Sequence, residues 1–231
     1  MTPQNSAAGG RTRKIRLPMI VAGAALVLGG CVVPVPVSLG SGERSGSMLA
    51  SDASCPAGSG LGARFEQPVD PASVDPGLLT EALRHLVNGA RCERGATPLA
   101  LSPAAVQAAH GHARSMAKHD FMGHASPIRG RETLPQRIKA ESGRFGHAAE
   151  NVARAATTML DADGCLGPAG TGGSMPTYGN VARGLFNMWI TSAKHSANML
   201  NPSYRQVGAG LGVNPGKYRC GEIAATMVFI G

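Results

Sequence analysis

The chain has 231 residues, of which 43% are hydrophobic but only 4% aromatic, so its core must consist mainly of aliphatic side chains. Its formal charge is +8, and half of that charge lies in an N-terminal stretch without acidic residues, at Arg11, Arg13, Lys14 and Arg16. The remaining excess is small and contains no run of five basic residues, so nucleic acid is not an expected partner.

The first predicted element is an export signal over residues 1–30. A basic segment, RTRKIR, precedes an apolar run of 14 residues, LPMIVAGAALVLGG, whereas a membrane-spanning helix needs about 20. The run ends in LGGC, which resembles a bacterial lipobox whose cysteine, here Cys31, is lipidated and becomes the new N-terminus. This predicts an exported protein attached to the bacterial cell membrane or envelope by a lipid. A plain transmembrane anchor is the alternative, because no charge occurs from Leu17 to Gly42, although Pro34 and Pro36 disfavour one long helix.

Residues 31–73 are predicted to form a flexible linker before a folded domain at 74–231. The linker is rich in Ser, Gly and Pro, and such a composition cannot bury enough apolar surface to offset its ordering entropy. In an oxidising compartment, the four cysteines other than Cys31 are expected to form two disulfides. Three pairings are possible among these cysteines, Cys55, Cys92, Cys165 and Cys220.

The domain is predicted to begin with helices. Asp75 is a candidate N-cap before Pro76, and leucines follow at three- and four-residue spacing. Ser102 and Pro103 give a second start signal, for a helix over 102–120. A weaker third helix is predicted over TLPQRIKAES, and a fourth over NVARGLFNMWI, where Trp189 is expected in the core.

Two strands are predicted at the C-terminus. QVGAGLGV and YRCGEIAATMVFIG flank NPGK, whose Pro-Gly pair fits the centre of a hairpin turn. Gly208, Gly210 and Gly212 alternate and therefore face one side of a strand, where another backbone or a ligand can approach closely. Helices followed by a hairpin favour an α+β layered domain.

Four of the seven histidines lie between residues 110 and 124. The second helix contains no H-E-x-x-H motif and no histidine pair four residues apart, so it is not expected to clamp a metal. Helical geometry predicts that His110, His112 and His119 lie on its flanks or surface. His124 follows the helix in a loop with Gly123 and can present its ring to a cleft.

Three segments resemble the cysteine-rich secretory protein, antigen 5 and pathogenesis-related protein (CAP) superfamily, whose domain is also called SCP-like. They are LSPAAVQAAHGHARSMAKHDFMGHASP, AEN at 149–151, and WITSAKHSANMLNPSYRQVGAGL. The resemblance covers about residues 75–231 and implies a three-layer α-β-α sandwich with a central antiparallel sheet. It places His124, Glu150 and His195 in one cleft, and Ser192 where many eukaryotic members carry a second acid.

The resemblance favours a binding role without a catalytic residue, for a lipid, sterol, peptide or envelope polymer in the cleft. A metal-dependent hydrolase is one alternative, because two imidazoles and one carboxylate can hold zinc with an open position. With Ser192 replacing an acid, we expect zinc to bind only weakly. A structural or signalling module that acts through its surface is the other alternative. A glycine-rich segment at 161–179 could cover the cleft, and the oligomeric state is left open.

Overall fold

The computed structural model describes residues 53–58, 60–156, 176–217 and 221–231, all within one structural unit, Gly46–Gly231. The predicted signal peptide, Cys31, Cys165, Cys220 and most of the glycine-rich segment lie outside the described residues. Within the described ranges, no helix is long and apolar enough to cross a membrane.

The described residues form five α-helices: α1 (Pro76–Cys92), α2 (Pro103–His119), α3 (Leu134–Ala140), α4 (Tyr178–Ile190) and α5 (Ala193–Leu200). The first four were predicted, and the side chains of Asp75 and Ser102 accept backbone N–H bonds as N-caps. Thr133 and Gln136 form a reciprocal capping box at the start of α3. α5 was not predicted, because it is short. Its N-cap residue, Ser192, makes no capping hydrogen bond in the structure.

The sheet has four strands in the order β1-β3-β4-β2: β1 (Ala100–Leu101), β2 (Ala148–Ala156), β3 (Gln206–Asn214) and β4 (Glu222–Ile230). The predicted hairpin is confirmed as β3 and β4, and the three long strands are antiparallel. β1 pairs in parallel with β3, so the sheet is mixed at that edge. β2 was missed because AAENVARAA is alanine-rich and lacks β-propensity, yet the whole strand pairs with β4.

The sheet is the central layer of the predicted α-β-α sandwich. One face packs against α1, α4 and α5 in the main core, which includes Leu83, Leu185 and Phe229. The other face packs against α2 and α3. Gly210 lets α2 lie directly on β3, because a Cβ there would be 2.1 Å from the Cα of His110. The predicted close backbone approach at the β3 glycines is confirmed.

The end of the predicted linker is packed on the domain. Phe65, in a 3-10 turn at Ala63–Glu66, and Val69 are both buried in the main core. A disulfide joins Cys55 to Cys92 at the end of α1, which confirms one of the two expected disulfides, while Cys165 and Cys220 lie outside the described residues. The packed region therefore begins before residue 74, because two apolar side chains in a Gly- and Pro-rich segment suffice to dock it.

Candidate functional site

A buried carboxylate on β2 is the centre of the site. The Glu150 side chain is 2% exposed and points toward α2 and α3. The Nη2 of Arg137 donates to both of its oxygens, at 2.8 and 2.9 Å. The Nδ1 of His124 donates to Oε2 at 3.0 Å, since a carboxylate oxygen only accepts. Glu150 is therefore paired on two sides, as a buried charge requires.

Arg137 also fixes the loop that carries His124. It projects from α3 and is almost fully buried. Its guanidinium donates to the carbonyl oxygens of His124 at 3.1 Å, and of Arg131 and Glu132 at 3.3 Å. One planar group thus fixes the carboxylate and the loop together, as the fork geometry of arginine allows. Sequence reasoning missed this residue.

His124 occupies the predicted loop and faces solvent. Its side chain is 63% exposed although it contacts the buried Glu150. The hydrogen bond that His124 donates to Glu150 raises the pKa of His124 above its ordinary value, against a smaller opposing effect of burial. Because Nδ1 is held by Glu150, Nε2 is the ring nitrogen that a ligand can reach, as an acceptor when neutral and a donor when protonated.

The expectation that His112 lies on a flank or the surface of α2 is wrong. Its side chain is fully buried, and its Nε2 donates to the carbonyl of Gly123 at 2.8 Å and lies 4.0 Å from Glu150. Burial lowers its pKa, more than the charge of Glu150 raises it. The buried face of α2 is wider than expected because α3 packs on a row of small residues that includes Ala105 and Ala108, and the loop after α2 covers His112 with Phe121 and Gly123. That row of small residues was the signal available in the sequence.

The other two helical histidines differ from each other. His119 is exposed at the end of α2, as predicted. His110 is half-buried on the flank of the helix, and burial lowers its pKa. Neither contacts Glu150 in the described structure.

His195 lies on α5, which hydrogen bonds hold against β2. Asn151 donates to the carbonyl of His195 at 3.1 Å, and Asn198 donates to Asn151 at 2.9 Å. Burial lowers the pKa of His195, and the nearby His124 lowers it further. Among the described residues, no hydrogen bond joins the side chains of Ser192 and His195. The structure brings His124 and Glu150 into contact and places His195 within electrostatic range of His124.

The predicted zinc ligands do not form a metal site in the described part of the chain. No group of three or more His, Cys, Asp or Glu side chains is placed there to hold an ion. Both oxygens of Glu150 accept from Arg137, and His124 turns Nδ1 toward the same carboxylate. The arginine charge beside Glu150 opposes a second cation, so His124, Glu150 and His195 do not fit a zinc ion here.

A cavity of about 440 Å³ opens beside the His124–Glu150 pair. Its walls combine small or apolar residues with a few polar groups: His124, Ala125, Glu132, Thr133, Leu134, Ala148, Ala149 and Glu150. Ser192 and His195 are not part of its lining. This cavity lies on the α2–α3 side of the sheet, and a cleft shared by His124, Glu150, Ser192 and His195 stays a prediction.

A model of the CAP family, described as the cysteine-rich secretory protein family, matches residues 84–229. Since this is more than half of the chain, the protein belongs to the CAP family. No curated protein matches it.

Several solved structures are similar to the chain. An extracellular protein containing an SCP domain from Bacillus anthracis is 23% identical, with a TM-score of 0.46 over 66% of this chain and 40% of that one. An outer surface protein of Borrelia burgdorferi is 14% identical, with a TM-score of 0.47 over 68% of this chain and 96% of that one. The CAP domain of enterococcal PrgA is 14% identical, with a TM-score of 0.45 over 72% of this chain and 67% of that one. The chain thus spans 40% of the length of the Bacillus protein.

Proposed function

We propose that this CAP domain binds a small amphipathic ligand, of the lipid or sterol class, in the cavity beside His124. The observation that carries the proposal is the fixed, exposed His124 ring at a cavity with apolar walls. Leu134, Ala148 and Ala149 offer apolar contact, and the volume of about 440 Å³ is that of a typical small-molecule site.

The electrostatics favour a ligand with a polar or acidic head group. The raised pKa of His124 increases its cationic fraction near neutral pH, so that Nε2–H can donate to an acidic oxygen. Arg137 and Glu150 neutralise each other below the ring. The other charge in the described lining is the carboxylate of Glu132, whose pKa is lowered by hydrogen bonds from the backbone. A sugar polymer fits less well, because no Phe, Tyr or Trp among the described residues lines the cavity for stacking.

Titration of palmitate and of cholesterol, followed by calorimetry, tests the proposal. We expect His124→Ala to lower the affinity for palmitate by about fivefold or more, because one charge-assisted hydrogen bond is lost. Leu134→Asp should abolish the binding of both ligands, because it places a charge in the apolar wall of the cavity. His85→Ala, on α1 at the opposite face of the sheet, is the control and should bind like the wild type. Binding of both ligands that survives Leu134→Asp, or no binding by the wild type, would show that the cavity is not the site.

The described residues give no support to a metal-dependent hydrolase. Such an enzyme needs a metal or a nucleophile with an oriented base. The described residues that were its candidates, His124, Glu150, Ser192 and His195, provide neither arrangement. We propose a binding role because the exposed His124 ring beside the cavity supports it.

We further propose that the protein is exported and attached to the membrane or envelope by a lipid on Cys31. The support is the sequence LGGC after a basic and then an apolar segment. Expression of the wild type and of Cys31→Ser in a bacterial host with radioactive palmitate tests this. We expect label in the wild type alone, and equal label in both proteins would contradict the proposal.

A further inference from the structure

A second, larger groove runs along the outer edge of α2. Its volume is about 710 Å³, and it shares no lining residue with the cavity at His124. One wall is the segment 71–74 that precedes α1, and the other is the end of β3 at 211–215. The floor is the exposed side of α2, from His110 to His119.

Basic side chains form a row along this floor. His110, Arg114 and Lys118 are four residues apart and so lie on one line of the helix, with successive residues about 6 Å apart along the axis. Burial lowers the pKa of His110, so the permanent charges are those of Arg114 and Lys118. Among the described residues, no carboxylate lines the groove. The groove therefore presents two cations at a fixed spacing.

These two cations have no acidic partner in the described part of the chain, where neither Arg114 nor Lys118 forms an ion pair. Nearby acids are already engaged. Asp120 pairs with Arg154 and Lys217, which lower its pKa to about 2. Asp70 accepts from the backbone and hydroxyl of the adjacent turn. Both charges therefore remain available to a ligand.

The acidic N-cap of α1 near the groove also leaves the electrostatic potential in the groove positive. Asp75, whose charge raises the pKa of His110, accepts the capping hydrogen bond of α1 and is not part of the lining. Its effect on His110 is smaller than those of burial and of Arg114. A groove with fixed cations and low-dielectric walls concentrates anions.

We propose that this groove binds a phosphodiester ligand whose adjacent phosphates lie about 6 Å apart, the spacing of Arg114 and Lys118 along the helix. Phosphates separated by a three-carbon polyol have this spacing in a soluble glycerol phosphate chain and in the head group of cardiolipin. The groove recognises the paired phosphates in either source. The proposal does not depend on the ligand at His124.

The test compares two double variants with equal loss of charge, in the full chain with Cys31→Ser so that lipidation does not contribute. Arg114→Ala/Lys118→Ala removes the groove cations. Lys139→Ala/Arg144→Ala removes one exposed lysine and one exposed arginine elsewhere on the domain. One arm titrates a short glycerol phosphate oligomer by calorimetry. The other measures co-sedimentation with phosphatidylcholine vesicles with and without cardiolipin.

We expect the groove variant to lose at least about tenfold in affinity in one or both arms, since each hydrogen bond between charged groups contributes substantially. The control variant should change by less than about twofold, as expected for screened surface charges. Loss in the oligomer arm alone assigns a soluble polymer, and loss in the vesicle arm alone a lipid head group. Equal losses in the two variants, or no binding by the parent protein in either arm, would overturn the proposal.

Discussion

At the scale of single residues, the buried ion pair between Arg137 and Glu150 controls the shape of the binding site. The Arg137 guanidinium donates hydrogen bonds to a carboxylate and to three loop carbonyls at once. Removing one partner of a buried pair leaves the other uncompensated, which costs more than removing both. The contribution of this pair is therefore best measured by a double-mutant cycle.

We predict that Arg137→Met lowers the free energy of unfolding by about 3–5 kcal/mol. Urea denaturation followed by circular dichroism measures this. The double variant Arg137→Met/Glu150→Leu should be more stable than Arg137→Met, because the unpaired carboxylate is gone. If the double variant instead loses the sum of the two single effects, the residues do not act as a pair.

His112 should make the domain less stable in acid. Burial holds its folded-state pKa below the ordinary value, near 6.5 in the unfolded chain. The neutral ring therefore contributes stability that is complete above the unfolded pKa and is lost as the pH falls toward the folded pKa. His112→Gln keeps a donor for the carbonyl of Gly123 and removes the titration. We predict a smaller loss of melting temperature between pH 7 and pH 5 in this variant.

His124 provides a control of opposite sign for that experiment. Its folded-state pKa is raised by Glu150, so its contribution is present below the unfolded pKa and lost as the pH rises through the folded one. His124→Gln should therefore steepen the loss of stability in acid. His110 and His195, whose pKa values are also lowered, remain in both variants. Parallel pH profiles for wild type and His112→Gln would contradict the assignment.

At the scale of elements, the contact between α2 and β3 sets the distance between this helix and the sheet. Gly208, Gly210 and Gly212 face the helix, and an added Cβ would meet its backbone at 2.1–2.2 Å in each case. Backbone cannot move aside as a flexible side chain can. The glycines are therefore required for the helix, and with it both proposed binding sites, to lie where they do.

We predict that Gly210→Ala destabilises the domain by about 2–3 kcal/mol or prevents folding, through overpacking against His110. Gly216→Ala in the hairpin turn is the matched control, since its Cβ would be 3.8 Å from the side chain of Asn214. That variant should stay within about 0.5 kcal/mol of the wild type. Similar unfolding midpoints in urea for the two variants would show that β3 can separate from α2 at little cost.

At the scale of the whole molecule, the Cys55–Cys92 disulfide joins the N-terminal segment to the end of α1 across 37 residues. Closing a loop of that length should contribute about 2–4 kcal/mol, mainly by restricting the unfolded chain. We predict that Cys55→Ser and Cys92→Ser each lower the free energy of unfolding by this amount. The double variant should lose no more than either single one. Additive losses in urea denaturation would mean that the two cysteines act separately.

The segment before α1 should be part of the cooperative unit. Burial of Phe65 and Val69 is worth about 1.5–3 kcal/mol for each side chain. We predict that Phe65→Ala destabilises the full chain by about 3 kcal/mol or more. The exposed Arg64, replaced by alanine, is the control on the same turn and should cost less than about 1 kcal/mol. An unfolding midpoint that Phe65→Ala leaves unchanged would restore the predicted boundary at residue 74.

The sequence by itself determined the local features of the fold. Asp75, Ser102 and Thr133 mark helix starts because a side-chain oxygen can accept a backbone N–H at that position regardless of the rest of the chain. The β3–β4 hairpin could also be predicted, because its turn residues and its alternating glycines lie within the same short segment of sequence. His124 and Glu150 could be placed together by family resemblance, and the structure confirms their contact.

Only the tertiary structure decided the features that depend on distant partners. β2 is a strand because β4 pairs with it, and His112 is buried because the loop after α2 and Glu150 on β2 lie against it. Arg137 belongs to the site because α3 points it at a carboxylate thirteen residues away on β2. Burial and charge pairing are set by contacts between elements, and no pattern within one helix or strand contains them.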